Sequence, residues 1–126
     1  MPDKPNEMDK LSAEIVGRWV DTLKKSLVSF YVLLGLSKKS MWSKQIYNWL
    51  IDNTGWSITE RGFYRTLQRL ERLGLIEFEL QDSPAQGADR KVYSLTALGR
   101  RTAKDFAKAG FSQAVNSKIE QLVDRL

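Results

Sequence analysis

The sequence predicts a mainly α fold with a small β-hairpin: a winged helix-turn-helix with extra N- and C-terminal dimerisation helices. Three observations predict it. Apolar residues recur at three- and four-residue steps from Leu11 to Leu34 and in two further stretches, the mark of amphipathic helices. Leu75 to Leu80 switches to period-two alternation, the mark of a half-buried strand. The resulting order is helix, helix, helix, hairpin, helix.

Composition narrows the function before any motif is read. A chain of 126 residues with 42% hydrophobic content fits one domain with one modest core. It holds no cysteine and no histidine. Disulfides, thiolate metal sites, cysteine nucleophiles and the Ser-His-Asp triad are thereby excluded. No cofactor, no metal and no enzymatic activity are expected. Twenty Lys and Arg against fifteen Asp and Glu give a net charge of +5, which favours a polyanionic partner. The polar start is unlike a signal peptide, and the most apolar run, Leu27 to Leu36, is too short to span a bilayer. Cytoplasmic location is expected.

Residues 1–8 carry two of the three prolines and read as a flexible arm. Residues 9–110 read as the winged-helix domain, and 111–126 as a C-terminal dimerisation helix. The first helix has Leu11, Ile15, Trp19, Leu23, Leu27, Tyr31 and Leu34 on one face. Gly17 and Ser26 are its candidate break points. Glu14 with Arg18 and Asp21 with Lys25 have ion-pair spacing. The second helix spans about Met41 to Asn53, with Trp42, Ile46, Trp49 and Leu50 on its apolar face and Gly55 as its stop. The third spans 58–73, with Ser57 and Glu60 at capping-box spacing. Gly74 ends it. Strands at 75–80 and 90–95 flank a loop holding Pro84 and Gly87. Thr96 can cap a fourth helix reaching about Ala109, and Gly110 interrupts it.

The third helix carries the chemistry. With Arg61 at zero, Arg65 falls at about 40°, Gln68 at about 340° and Arg72 at about 20° round the wheel. Phe63, Leu67 and Leu70 fall on the opposite side, with Tyr64 and Arg69 on the flanks. One face is core and the other is arginine with an amide. Arginine can fork onto guanine and glutamine onto adenine in a major groove, while flanking arginines hold phosphates. The bland alternative is a solvated helix face.

Arg90 and Lys91 leave the tip of the proposed wing, residues 81–91, where they suit phosphates or a minor groove. A solvated edge strand is the alternative. Lys38, Lys39, Ser40, Ser43 and Lys44 surround the start of helix two, and read either as phosphate holders or as solvated capping residues. Glu77 and Glu79 lie on an exposed strand face with no third ligand, which points to solvation. The four tryptophans read as core or interface residues, or as stacking surfaces for a planar ligand.

The end helices carry more apolar surface than a three-helix core can cover. Leu11, Ile15, Trp19, Phe111, Val115, Ile119, Leu122 and Leu126 are the expected homodimer interface. Two reading helices would then lie about 34 Å apart, one turn of DNA. A monomer whose end helices pair with each other is the alternative.

The segment from Phe63 to Ile76 resembles the PadR family of bacterial transcriptional regulators. Their third helix typically reads T-L-Y-P-x-L-x-R-L-E-x-x-G-L-I. Tyr64, Leu67, Arg69-Leu70-Glu71 and Gly74-Leu75-Ile76 match it. Gly87, Arg90-Lys91, Tyr93, Leu95-Thr96 and Gly99 match the family's wing pattern, G-G-R-x-(R or K)-x-Y-x-L-T-x-x-G. Gly62, Arg65 and Val92 depart from it. The resemblance covers about residues 27–108, and the short tail resembles a compact branch. It implies a dimeric repressor that binds an inverted repeat in double-stranded DNA. Tyr64 would contact the DNA backbone, Arg90 and Lys91 would make the wing contact, and the C-terminal helices would form the dimer. Two other readings stand beside it: a winged-helix module that binds another protein, and a repressor gated by a small-molecule effector at the dimer seam.

Overall fold

The computed structural model describes residues 3–82, 89–114 and 116–126. Helix α1 (Asp3–Leu36) is followed by strand β1 (Met41–Trp42), α2 (Ser43–Thr54) and α3 (Glu60–Arg72). Strands β2 (Ile76–Asp82) and β3 (Asp89–Leu95) come next, then α4 (Ala97–Phe106). A π-helical segment, Ala107–Phe111, leads into the single turn α5 (Ser112–Ala114), and α6 (Ser117–Asp124) closes the chain.

Helix α1 is continuous, so neither Gly17 nor Ser26 breaks it. A mid-helix glycine costs only about 1 kcal/mol, and the flanking residues are good helix formers. The helix also reaches back to Asp3, across most of the segment expected to be a flexible arm. The two ion pairs expected along it do not form. Among the described residues the one ion pair is Arg101 with Asp105, at 3.1 Å.

The inward face of α1 also differs from the expected stripe. Val28, Val32, Leu33 and Leu36 are buried, whereas Leu34 is exposed and Leu27 and Tyr31 are only partly covered. Leu27 to Leu36 is apolar nearly all round, so periodicity does not select a face there. Packing selects it: α2, α3 and α4 close over this end of the helix with Ile46, Leu50, Phe63, Leu67, Leu70 and Ala103.

Met41 and Trp42 were expected to open helix two. They form β1 instead, pairing antiparallel with Tyr93 and Val92. The sheet is therefore three-stranded, in the order β1-β3-β2. The Ser40 and Ser94 hydroxyls reinforce the seam at 2.7 Å. Helix α2 begins after Trp42, whose backbone N–H donates to Gln45 Oε1. Gly55 ends α2 in the left-handed region at φ 69°, a conformation that costs glycine little.

The cap of α3 is Thr59, not Ser57. Its hydroxyl accepts from the Gly62 N–H at 3.1 Å, and Glu60 is the first helical residue rather than the reciprocal partner. The Tyr47 hydroxyl donates to the Ile58 carbonyl and fastens the turn between α2 and α3. Leu80 was expected to point inward with Ile76 and Phe78, but it is exposed. The exposed residues from Glu79 to Asp82 show the hairpin running past the body of the domain, and no described residue covers that side chain.

Thr96 caps α4 as expected, accepting from the Gly99 N–H, and its hydroxyl donates to the Gly74 carbonyl. A methyl group at Gly99 would lie 2.0 Å from the Leu75 carbonyl oxygen. The glycine is what lets α4 press against the start of the hairpin. Gly110 does not interrupt the helix, which widens into the π segment, and Asn116 caps α6 through the Ile119 N–H. The single expected helix at 111–126 is thus divided.

Candidate nucleic-acid interface

Helix α3 is split sharply between its two faces. Phe63, Thr66, Leu67 and Leu70 are buried. Arg61, Arg65, Gln68 and Arg72 are all exposed. The arginine stripe placed by helical geometry is therefore a free surface, and no ion pair among the described residues occupies it. Tyr64 stands on its flank, 46% exposed, with its ring edge-on to Phe63 at 5.4 Å.

Arg69 does not join this surface. It turns to the other flank, where one guanidinium nitrogen donates to the Ser29 hydroxyl on α1 at 2.9 Å. It lies about 80° round from Arg61, between the stripe and the buried face. Beside the phosphate role expected of it, this arginine joins α3 to α1.

The wing root comes back beside α3. Residues 83–88, including Pro84, Gly87 and Ala88, lie outside the described residues, so the wing expected at 81–91 is described only at its base. Arg90 and Lys91 project from opposite faces of β3, since successive strand residues alternate. The Arg90 guanidinium lies 4.5 Å from the Trp42 ring centroid, and Lys91 Nζ lies 4.3 Å from that of Phe78. Trp42, Ser43, Tyr64, Gln68, Arg90 and Lys91, with Leu67 and Tyr93, line one cleft of about 270 Å³. Residues from α3, the start of α2 and the wing thus converge.

Lys38, Lys39 and Lys44 are exposed near the start of α2, but none of the three lines that cleft. Trp42, expected in the core or at an interface, is half-buried under Arg90. The missing signal is tertiary: only the β1–β3 pairing brings them together. In the wall of the cleft, burial first, and then the charge of Glu71 and the nearby Tyr64, raise the Tyr93 phenol above its ordinary pKa.

The other tryptophans divide. Trp49 packs against Gly35, and Trp56 sits 5.8 Å from Tyr31 with Lys24 over its ring. Trp19 is 73% exposed. Of the other expected interface residues, Leu11, Ile15, Phe111, Ile119, Leu122 and Leu126 are exposed, although Phe111 rests on Phe30 at 5.7 Å. Val115 lies outside the described residues.

A third helix with a basic outer face, backed by a three-stranded wing, defines a winged helix-turn-helix protein. Its family follows from the sequence. Residues 32–105, more than half of the chain, match the transcriptional regulator PadR-like family, and the chain belongs to it. Solved structures agree on the fold. A PadR-like transcriptional regulator from Bacillus cereus is 20% identical with a TM-score of 0.67, covering 81% of this chain and 96% of that one. A Streptococcus transcriptional regulator is 26% identical with a TM-score of 0.65, covering 80% and 95%. Bacillus subtilis PadR, solved in complex with operator DNA, is 23% identical with a TM-score of 0.60. That match covers 65% of this chain and 47% of that one. Among curated proteins none matches. No helix among the described residues is long and apolar enough to cross a membrane.

Proposed function

We propose that this chain is a sequence-specific double-stranded DNA-binding repressor that acts as a homodimer on an inverted-repeat promoter site. The observation that carries it is the exposed face of α3, where Arg61, Arg65, Gln68 and Arg72 stand together opposite a buried apolar face. In a major groove those side chains read base edges. Tyr64, Arg90 and Lys91 hold phosphates beside it, and Lys38, Lys39, Ser43 and Lys44 add charge and a hydroxyl at the start of α2. The protein works where the chromosome is, in the cytoplasm, and needs no catalysis to do so. The operator complex of Bacillus subtilis PadR supports this reading through the shared fold.

The homodimer is supported by the uncovered apolar stripe of α1, Leu11, Ile15 and Trp19, and by Ile119, Leu122 and Leu126 at the other end. A small-molecule effector is a second reading. It is favoured by a cavity of about 440 Å³ between α1, α3 and α4, lined by Phe30, Leu33, Leu70 and Phe106 with Arg69 at its edge.

Selection of bound duplexes from a random library tests the main reading. A recovered inverted repeat is the expected result. Arg65→Ala should weaken binding to that duplex by about 1–3 kcal/mol and relax preference at one base pair. Binding that stays weak, salt-sensitive and free of any motif would sink it and point to a protein partner.

A further inference from the structure

Arg90 has an unused donor. Its Nε is out of contact with solvent and meets no acceptor among the described residues. An unsatisfied buried donor is unfavourable, so the guanidinium must be held there by something other than a hydrogen bond at that atom. The holder is Trp42, whose ring centroid lies 4.5 Å away. Strand register explains the meeting. Trp42 pairs with Val92, and Arg90 lies two residues earlier on the same face of β3. Diagonal neighbours across a ladder are within reach when the side chains are long or aromatic. Trp42 is also the residue from which α2 departs, its backbone held by Gln45. One indole therefore joins the root of the wing to the first helix of the helix-turn-helix.

We propose that Trp42 is a positioning residue for DNA binding, holding the Arg90 guanidinium over its ring so that the free edge of its fork takes one backbone phosphate in the cleft beside Ser43 and Tyr64. The proposal rests on the DNA-binding reading and adds the side chain that fixes where the wing grips. The cleft, at about 270 Å³, suits a phosphate rather than a base pair. Two cations, three hydroxyl-bearing side chains and an amide line it, and no carboxylate does. A planar guanidinium stacked on an aromatic face is ordered before its ligand arrives, so little rotamer freedom is lost on binding. Register between wing and groove is set at this point, because phosphate contacts fix orientation on a duplex.

Affinity for a duplex selected by the wild-type protein, measured across salt, tests the proposal. Trp42→Leu should weaken binding about tenfold and reduce the salt slope by about one phosphate contact. Trp42→Phe should keep most of the affinity. Arg90→Ala should lose as much as Trp42→Leu, and the double variant should fall no further. Additive losses, or unchanged affinity in Trp42→Leu, overturn the proposal. A DNA-free measurement separates it from the wider reading. The Arg90 Nε–H resonance should show slow exchange and an aromatic ring-current shift, retained in Trp42→Phe and lost in Trp42→Leu. An unchanged resonance in Trp42→Leu overturns the shelf whatever the DNA result. Wild-type protein that binds no duplex overturns the DNA reading and the phosphate with it, while the resonance alone decides the shelf. Should Trp42→Leu not fold, Arg90→Lys carries the test. It keeps the charge and loses the fork, so full affinity in that variant overturns the proposal.

Discussion

Helix α1 has two halves with one kind of sequence and two different fates. Both repeat apolar residues at helical spacing. In the C-terminal part Val28, Val32, Leu33 and Leu36 are closed in by α2, α3 and α4. In the N-terminal part Leu11 and Trp19 are 59% and 73% exposed, with Ile15, Val16 and Leu23 beside them. Periodicity tells which residues want cover. It does not tell what covers them. The winged-helix body supplies its own cover, whereas the first half of α1 and the exposed side chains of α6 lack any among the described residues. A second protomer, as proposed above, would cover both.

Placing the same charge in each half breaks the comparison most directly. Val32 is fully buried, and Val32→Asp should cost about 3–5 kcal/mol of folding stability, because the carboxylate has no partner there. Thermal unfolding followed by circular dichroism would show it, at any protein concentration. Trp19→Asp should leave the monomer's helical signal intact and cost about 2 kcal/mol or more of association, the range of a central interface aromatic. Sedimentation read over a dilution series would show the dimer dissociating earlier. Wild-type protein that sediments as a monomer, or a Trp19→Asp variant that unfolds like Val32→Asp, would remove the distinction between the halves.

The same division explains what could be read from the sequence. The buried side of α3, the hairpin, the Thr96 cap and the Gly74 stop follow from local rules, because each is decided by neighbours a few residues away. The exposed arginine stripe of α3 follows from the same helical geometry. The misreadings are tertiary. Met41 and Trp42 become a strand only because β3 lies alongside, at sequence separations no local pattern reaches. Arg69 turns towards α1 because Ser29, forty residues away, offers it a hydroxyl. Leu80 faces water because the wing outruns the body. Thr59 displaces Ser57 as a cap for a smaller reason: two hydroxyl residues stand near the start of α3, and spacing alone does not choose between them.

The finest distinction concerns Tyr93, at the seam between the closed body and the cleft. Its ring is buried against Phe78, and burial, together with Glu71 and Tyr64, raises its phenol above the ordinary value of 10.0. Below that value the phenol is neutral in both the folded and the unfolded chain, so it places no pH dependence on stability. As pH rises past it, the unfolded chain gives up the proton first while the folded chain still holds it. Stability must then fall with rising pH until the folded phenol also ionises. Tyr93→Phe removes that proton from both states. Denaturant unfolding of the two proteins on the alkaline side should show a shallower decline for the variant, and their difference should be flat at neutral pH. A decline equally steep in both would mean that the Tyr93 hydroxyl reaches water through the cleft, and the body would then be less closed than its buried ring implies.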